Sequence, residues 1–111
     1  MYRTLLLLIC LMFVISVSAR AAGNSEKGRA LFNNPKFAGA TSGRNCNTCH
    51  PDGKGLGHAA EKKEFHIAGM TQTSLEEAVN ACIVNAISGK AIDPNSKQMR
   101  DIIAYIRSLK T

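Results

Sequence analysis

The stretch Cys46-Asn47-Thr48-Cys49-His50 constrains this chain more than any other part of its 111 residues. Three chemistries use a Cys-x-x-Cys core: dithiol redox exchange, zinc binding and covalent haem attachment. The residue after the second cysteine separates them. A thioredoxin-type dithiol needs a βαβ setting, and no segment here alternates as a strand would. Zinc needs a further ligand at ordinary spacing, for which only His58, His66 or Cys82 is at hand. With His50 in place the motif reads Cys-x-x-Cys-His, the attachment signature of c-type haem. Its spacing has a physical reason. Cys46 and Cys49 lie about one helical turn apart and reach two vinyl groups as thioethers, while His50 is aimed at the iron.

Residues 1–21 read as a secretory signal peptide. Arg3 supplies the positive start, Leu5 to Val17 is an almost unbroken apolar run, and Ala19-Arg20-Ala21 is a cleavage pattern. The apolar run is shorter than the roughly 20 residues a membrane-spanning helix needs, so no stable anchor is expected after cleavage. Cys10 lies in this run and leaves with it. The expected location is therefore the periplasm or an equivalent compartment outside the cytoplasm, where haem attachment of this kind takes place.

Residues 22–111 then form one domain of about 90 residues, too short to bury a generous core without a cofactor, metal or disulfide. From residue 22 onward twelve Lys and Arg face eight Asp and Glu, a net charge of +4 spread along the chain. There is no basic run and no interleaved aromatic series to stack on bases, which excludes nucleic acid as the expected partner. A mildly basic surface suits a redox partner protein with an acidic docking face. Three cysteines remain after cleavage, so if Cys46 and Cys49 are used together Cys82 needs its own explanation.

The helix signals are local. Asn24 or Ser25 caps a first helix that runs to about Asn33, and Pro35 ends it. The glycine-rich stretch 36–73 reads mostly as loop, with a helical turn at the Cys-x-x-Cys-His motif and a second at Ala59 to Phe65. Ser74-Leu75-Glu76-Glu77 is a capping box, opening a helix expected to reach Ser88 with Gly89 as its stop. A last helix begins near Ser96, with Met99, Ile102, Ile103, Ile106 and Leu109 at helical spacing. The expected domain is all-α with long loops.

Gly28 and Phe32 in the first helix, the Cys46–His50 motif, and Ala104-Tyr105-Ile106 in the last helix together resemble a class I monohaem cytochrome c over residues 22–111. The resemblance implies three to four helices around one covalently bound haem c. It also implies that the first and last helices cross at Gly28, with Phe32 and Tyr105 packed at the crossing. In that family a proline about a dozen residues after the haem histidine offers its carbonyl to the imidazole Nδ1. No proline occurs in Gly53-Lys54-Gly55-Leu56-Gly57-His58, which leaves the partner of His50 unassigned.

The sixth iron position has several candidates. The usual family pattern, a methionine in the loop before the last helix, favours Met99, although its spacing with Ile102, Ile103 and Ile106 suits a core residue. Met70 follows Ala68-Gly69 in a loop, and His58 and His66 lie among charged residues that suit a solvated surface. Cys82 shares a helical face with Leu75, Ala78, Val79 and Ala86, where an inert buried thiol is the plainest role. The small Ala78 and Ala86, one turn either way, would let the helix approach a porphyrin. Residues 80–105 further resemble the segment after the first haem of thiosulfate dehydrogenases, whose matching cysteine is the axial thiolate. They also resemble the small His/Cys-ligated cytochromes of the NaxLS type from anammox bacteria, which pair as heterodimers and bind nitric oxide and carbon monoxide. The resemblance favours Cys82 as distal ligand and allows pairing, as a homo- or heterodimer, with another small cytochrome. The expected function is electron transfer as a low-potential redox subunit and not as an enzyme by itself. Diatomic-gas binding and an ordinary His/Met electron carrier are the alternatives.

Overall fold

The structure is a computed structural model that describes residues 22–109. The leader, residues 1–21 with Cys10, lies outside the described residues. In chain order the elements are α1 (Ser25–Phe32), α2 (Cys46–Cys49), β1 (Phe65–Ile67), β2 (Met70–Gln72), α3 (Leu75–Ala86) and α4 (Lys97–Ser108), with short 3-10 turns between them. Each α-helix starts on a side-chain cap. Asn24 accepts from the Lys27 N–H, Ser74 from Glu77 and Ser96 from Met99, each satisfying an otherwise unpaired amide of a first turn.

α1 and α4 cross at close quarters. Gly28 is buried at the crossing, where an added Cβ would fall on the Asp101 carbonyl and within 2.9 Å of the Tyr105 Cβ. Phe32 and Tyr105 meet edge to face there, with ring centroids 5.1 Å apart. A buried ionic latch closes the same junction. The Asp101 carboxylate accepts from the Asn24 N–H at 2.8 Å and from the Lys97 ammonium at 2.8 Å. Burial alone would raise the Asp101 carboxyl. These donors outweigh it and hold the group below its ordinary value. Phe32, Ile83, Met99 and Ile102 are the largest fully buried side chains, so the core lies where α1, α3 and α4 converge.

The all-α expectation requires correction: the described residues are about half helical and contain an antiparallel hairpin. β1 and β2 pair Phe65 with Gln72, His66 with Thr71 and Ile67 with Met70. Their two-residue turn, Ala68-Gly69, has φ values of 55° and 74°, the mirror-image turn that matches strand twist. The buried Gln72 amide exchanges two hydrogen bonds with the Ile67 backbone, each 3.1 Å, and so staples the hairpin. Three-residue strands are too short for alternation to show. β2 also inverts the usual pattern, with Met70 exposed and Gln72 buried.

α3 ends earlier than Ser88, at Ala86. Ser88, not Gly89, takes the left-handed conformation at φ 56°. Gly89 is needed for space: its N–H closes on the Ile83 carbonyl at 2.8 Å, and a Cβ would press on the Ile83 side chain and the Ala38 carbonyl.

Candidate metal centre

α2 begins with a reciprocal capping box. Asn45 Oδ1 accepts from the Thr48 N–H and Thr48 Oγ1 accepts from the Asn45 N–H, at 3.0 and 3.1 Å. The Asn45 amide also donates to the Asn33 carbonyl at 2.9 Å, which fastens the motif to the end of α1. His50 stands at the C-cap of α2, its N–H bonded to the Cys46 carbonyl. Its Nδ1 lies 3.0 Å from the Lys54 carbonyl. A carbonyl only accepts, so Nδ1 carries a proton, and in the neutral ring Nε2 then has the lone pair. The family's proline is replaced here by a lysine, since any residue's carbonyl can accept this proton.

A cavity of about 210 Å³ opens beside this motif. Of the thirteen residues lining it, ten are apolar, and the remaining three are Cys46, His50 and Cys82. The hydrophobic wall is drawn from Phe32 of α1, Leu56 and Ala59 of the loop, Phe65 and Ile67 of β1, Leu75, Ala78 and Val79 of α3, and Ile102 and Ile106 of α4. Leu56, Phe65, Ile67 and Ile106 were not foreseen as site residues. Their only sequence signal is that they are apolar.

Cys82 is half-buried on α3 with Ala78 in the same lining; Ala86 is partly buried but does not line the cavity. Burial pushes the Cys82 thiol up, and the nearby Cys49 sulfur adds to the shift. Cys46 is pushed up to about 11 by burial first and by Cys82 second, while Cys49 is exposed. Cys46 and Cys82 therefore share one cavity, and burial favours the neutral thiol at both.

The other candidate ligands lie elsewhere. Met99 is fully buried in α4 and is not part of the lining. Met70 is 59 % exposed in β2. His58 points to solvent beside Glu61 at 3.5 Å, and exposed His66 faces Thr71 Oγ1 at 3.3 Å. Among the described residues no three His, Cys, Asp or Glu side chains converge as a metal-holding cluster. No helix among them is long and apolar enough to cross a membrane.

The donor set fits a haem better than a bare ion. A bare zinc ion needs three or four converging polar ligands, whereas a porphyrin brings four nitrogens of its own and asks the protein for an apolar slot and one or two axial donors. The cavity offers an apolar wall, an imidazole, and a thiol on a different element, with Cys46 also in its lining. Comparison of the chain with protein-family models, with curated proteins and with solved structures finds no match.

Proposed function

We propose that this chain is an exported, class I-like monohaem c-type cytochrome acting in electron transfer as a low-potential redox subunit. In this reading Cys46 and Cys49 hold the haem through thioethers, His50 is the proximal iron ligand and Cys82 the distal one. The observation that carries it is one apolar cavity whose only non-aliphatic, non-aromatic lining is Cys46, His50 and Cys82. When bound, the haem would supply an iron that alternates between Fe(III) and Fe(II).

The chain's own residues set the conditions for that exchange. The Lys54 carbonyl holds His50 with Nε2 free and makes the imidazole a stronger donor. The hydrophobic wall excludes water, which raises the energetic weight of every charge placed inside it. Cys82 is neutral while nothing cationic faces it, so a positive centre is what would ionise it; the resulting thiolate favours the oxidised state and a low potential. Exposed Cys49 brings the attachment edge to the surface, where the +4 domain would meet an acidic partner.

A second reading, binding of nitric oxide or carbon monoxide, draws on the same raised thiol. If Cys82 takes up a proton it becomes a weak ligand and can withdraw, vacating the distal side. Distal ligation by Met99 would require α4 to repack, since that side chain is wholly enclosed outside the cavity.

The test is direct. Haem colour should remain with the polypeptide on a denaturing gel, and Cys46→Ala with Cys49→Ala should give no holoprotein. Absorption and paramagnetic-resonance spectra of the oxidised protein should report a thiolate ligand. A colourless protein with one zinc per chain would overturn the proposal.

A further inference from the structure

The two residues between the cysteines of a Cys-x-x-Cys-His motif are spacers as far as the motif is concerned, yet here both are engaged. Thr48 completes the capping box of α2. Asn47 reaches forward instead: its Oδ1 accepts the Asp52 N–H at 2.7 Å. Asp52 is the residue at which the chain reverses. It sits at φ 51° and is followed by Gly53 at φ 78°, two consecutive left-handed residues of which only the second is a glycine. A non-glycine residue keeps that conformation only where its surroundings hold it there.

The rest of the reversal is backbone. His50 O accepts from Gly53 N at 2.8 Å, Pro51 O from Lys54 N at 3.0 Å and Gly53 O from Leu56 N at 2.9 Å. Gly53 is buried, and a Cβ there would run into the Leu109 side chain, so the turn has little room to shift on that side. Its product is the placement of one atom, the Lys54 carbonyl oxygen 3.0 Å from His50 Nδ1. The motif thus fixes both ends of the contact, the imidazole through α2 and the acceptor through Asn47.

We propose that Asn47 is a positioning residue for His50. By holding the Asp52 N–H it keeps the 51–55 turn closed on the imidazole, so that Nδ1 donates to Lys54 and the Nε2 lone pair is kept for the iron. This inference rests on the haem reading of the cavity. The acceptor is a lysine carbonyl because Gly53 to His58 contains no proline to offer one.

The experiment uses the full chain matured with haem, as wild type, Asn47→Ala and Asn47→Asp. Haem per chain is measured first, by the absorbance of the alkaline pyridine complex. The readouts are the solvent exchange rate of the His50 Nδ1 proton by NMR in the reduced, carbon monoxide-bound protein and the reduction potential. Asn47→Ala should bind one haem, exchange that proton about tenfold faster or more, and shift the potential upward because the imidazole becomes a weaker donor. Asn47→Asp keeps an acceptor oxygen and should restore slow exchange. Gly55→Ala provides a second perturbation outside the motif, since Gly55 sits at φ 86° directly after the acceptor. It should speed exchange even if Asn47→Ala yields no holoprotein. Wild-type exchange in haem-loaded Asn47→Ala would overturn the proposal whatever Gly55→Ala does, and so would wild-type exchange in Gly55→Ala where Asn47→Ala does not mature. Absence of haem from the wild type would instead overturn the reading of the cavity.

Discussion

Gly28→Ala should be among the most damaging small substitutions available to this chain. The new methyl would land on the Asp101 carbonyl, which belongs to the backbone of α4, and within 2.9 Å of the Tyr105 Cβ. Neither atom can rotate away, so the helices must separate at their crossing. Overpacking of this kind costs about 1–3 kcal/mol. Separation also loosens the Phe32–Tyr105 contact, an edge-to-face pair worth about 0.5–1.5 kcal/mol, and stretches the Asn24–Asp101 bond. Against this, alanine is favoured over glycine inside a helix by about 1 kcal/mol. The net expectation is a loss of about 1–3 kcal/mol, or roughly 5–20 °C in the melting temperature of a domain this size. The effect should reach the cavity, because Phe32, Ile102 and Ile106 in its wall all sit on the two displaced helices. The assay is thermal unfolding of the holoprotein followed by circular dichroism and by haem absorbance. A Gly28→Ala protein that melts within 2 °C or so of wild type would show that the crossing is not close-packed.

Under the proposed haem ligation, Cys82→Ala should raise the reduction potential and abolish the thiolate signature. Met99→Ala should cost about 2–5 kcal/mol of stability through the cavity it leaves and keep the wild-type spectrum, and exposed Met70→Ala should do neither. A spectrum altered by Met99→Ala and untouched by Cys82→Ala would reverse the ligand assignment. Acid should weaken the α1–α4 latch. The Asp101 carboxyl titrates lower when folded than its ordinary 3.8, so it adds stability above that pH and the contribution is lost as pH falls through the folded value. Asp101→Asn should therefore flatten the stability curve below pH 4 in a series of urea titrations, and a curve parallel to wild type would count against the latch. The haem-free chain should be largely unfolded at room temperature, since the cavity wall has nothing to pack against. A cooperative melt of apoprotein close to that of the holoprotein would contradict this.

The sequence by itself determined whatever depends on near neighbours. The caps at Asn24, Ser74 and Ser96, the apolar stripe of α4 and the Cys-x-x-Cys-His motif act through residues three to five positions apart, and the structure has the helix starts where those residues put them. The hairpin escaped because three-residue strands carry too little periodicity to read, and its turn needed a left-handed alanine that no rule would have favoured. Only the tertiary structure decided which side chains share a cavity. Met99 and Cys82 were both candidates by spacing and resemblance, and nothing local distinguishes a sulfur that faces the core from one that faces a cleft. That choice depends on how α3 and α4 are rotated as they pack, and the packing turned Met99 into the core and Cys82 towards His50's cavity. The partner of His50 was hidden for a related reason. A backbone carbonyl has no identity in the sequence, and the reversal that brings Lys54 to the imidazole is set by a hydrogen bond between Asn47 and Asp52 that only the folded loop reveals.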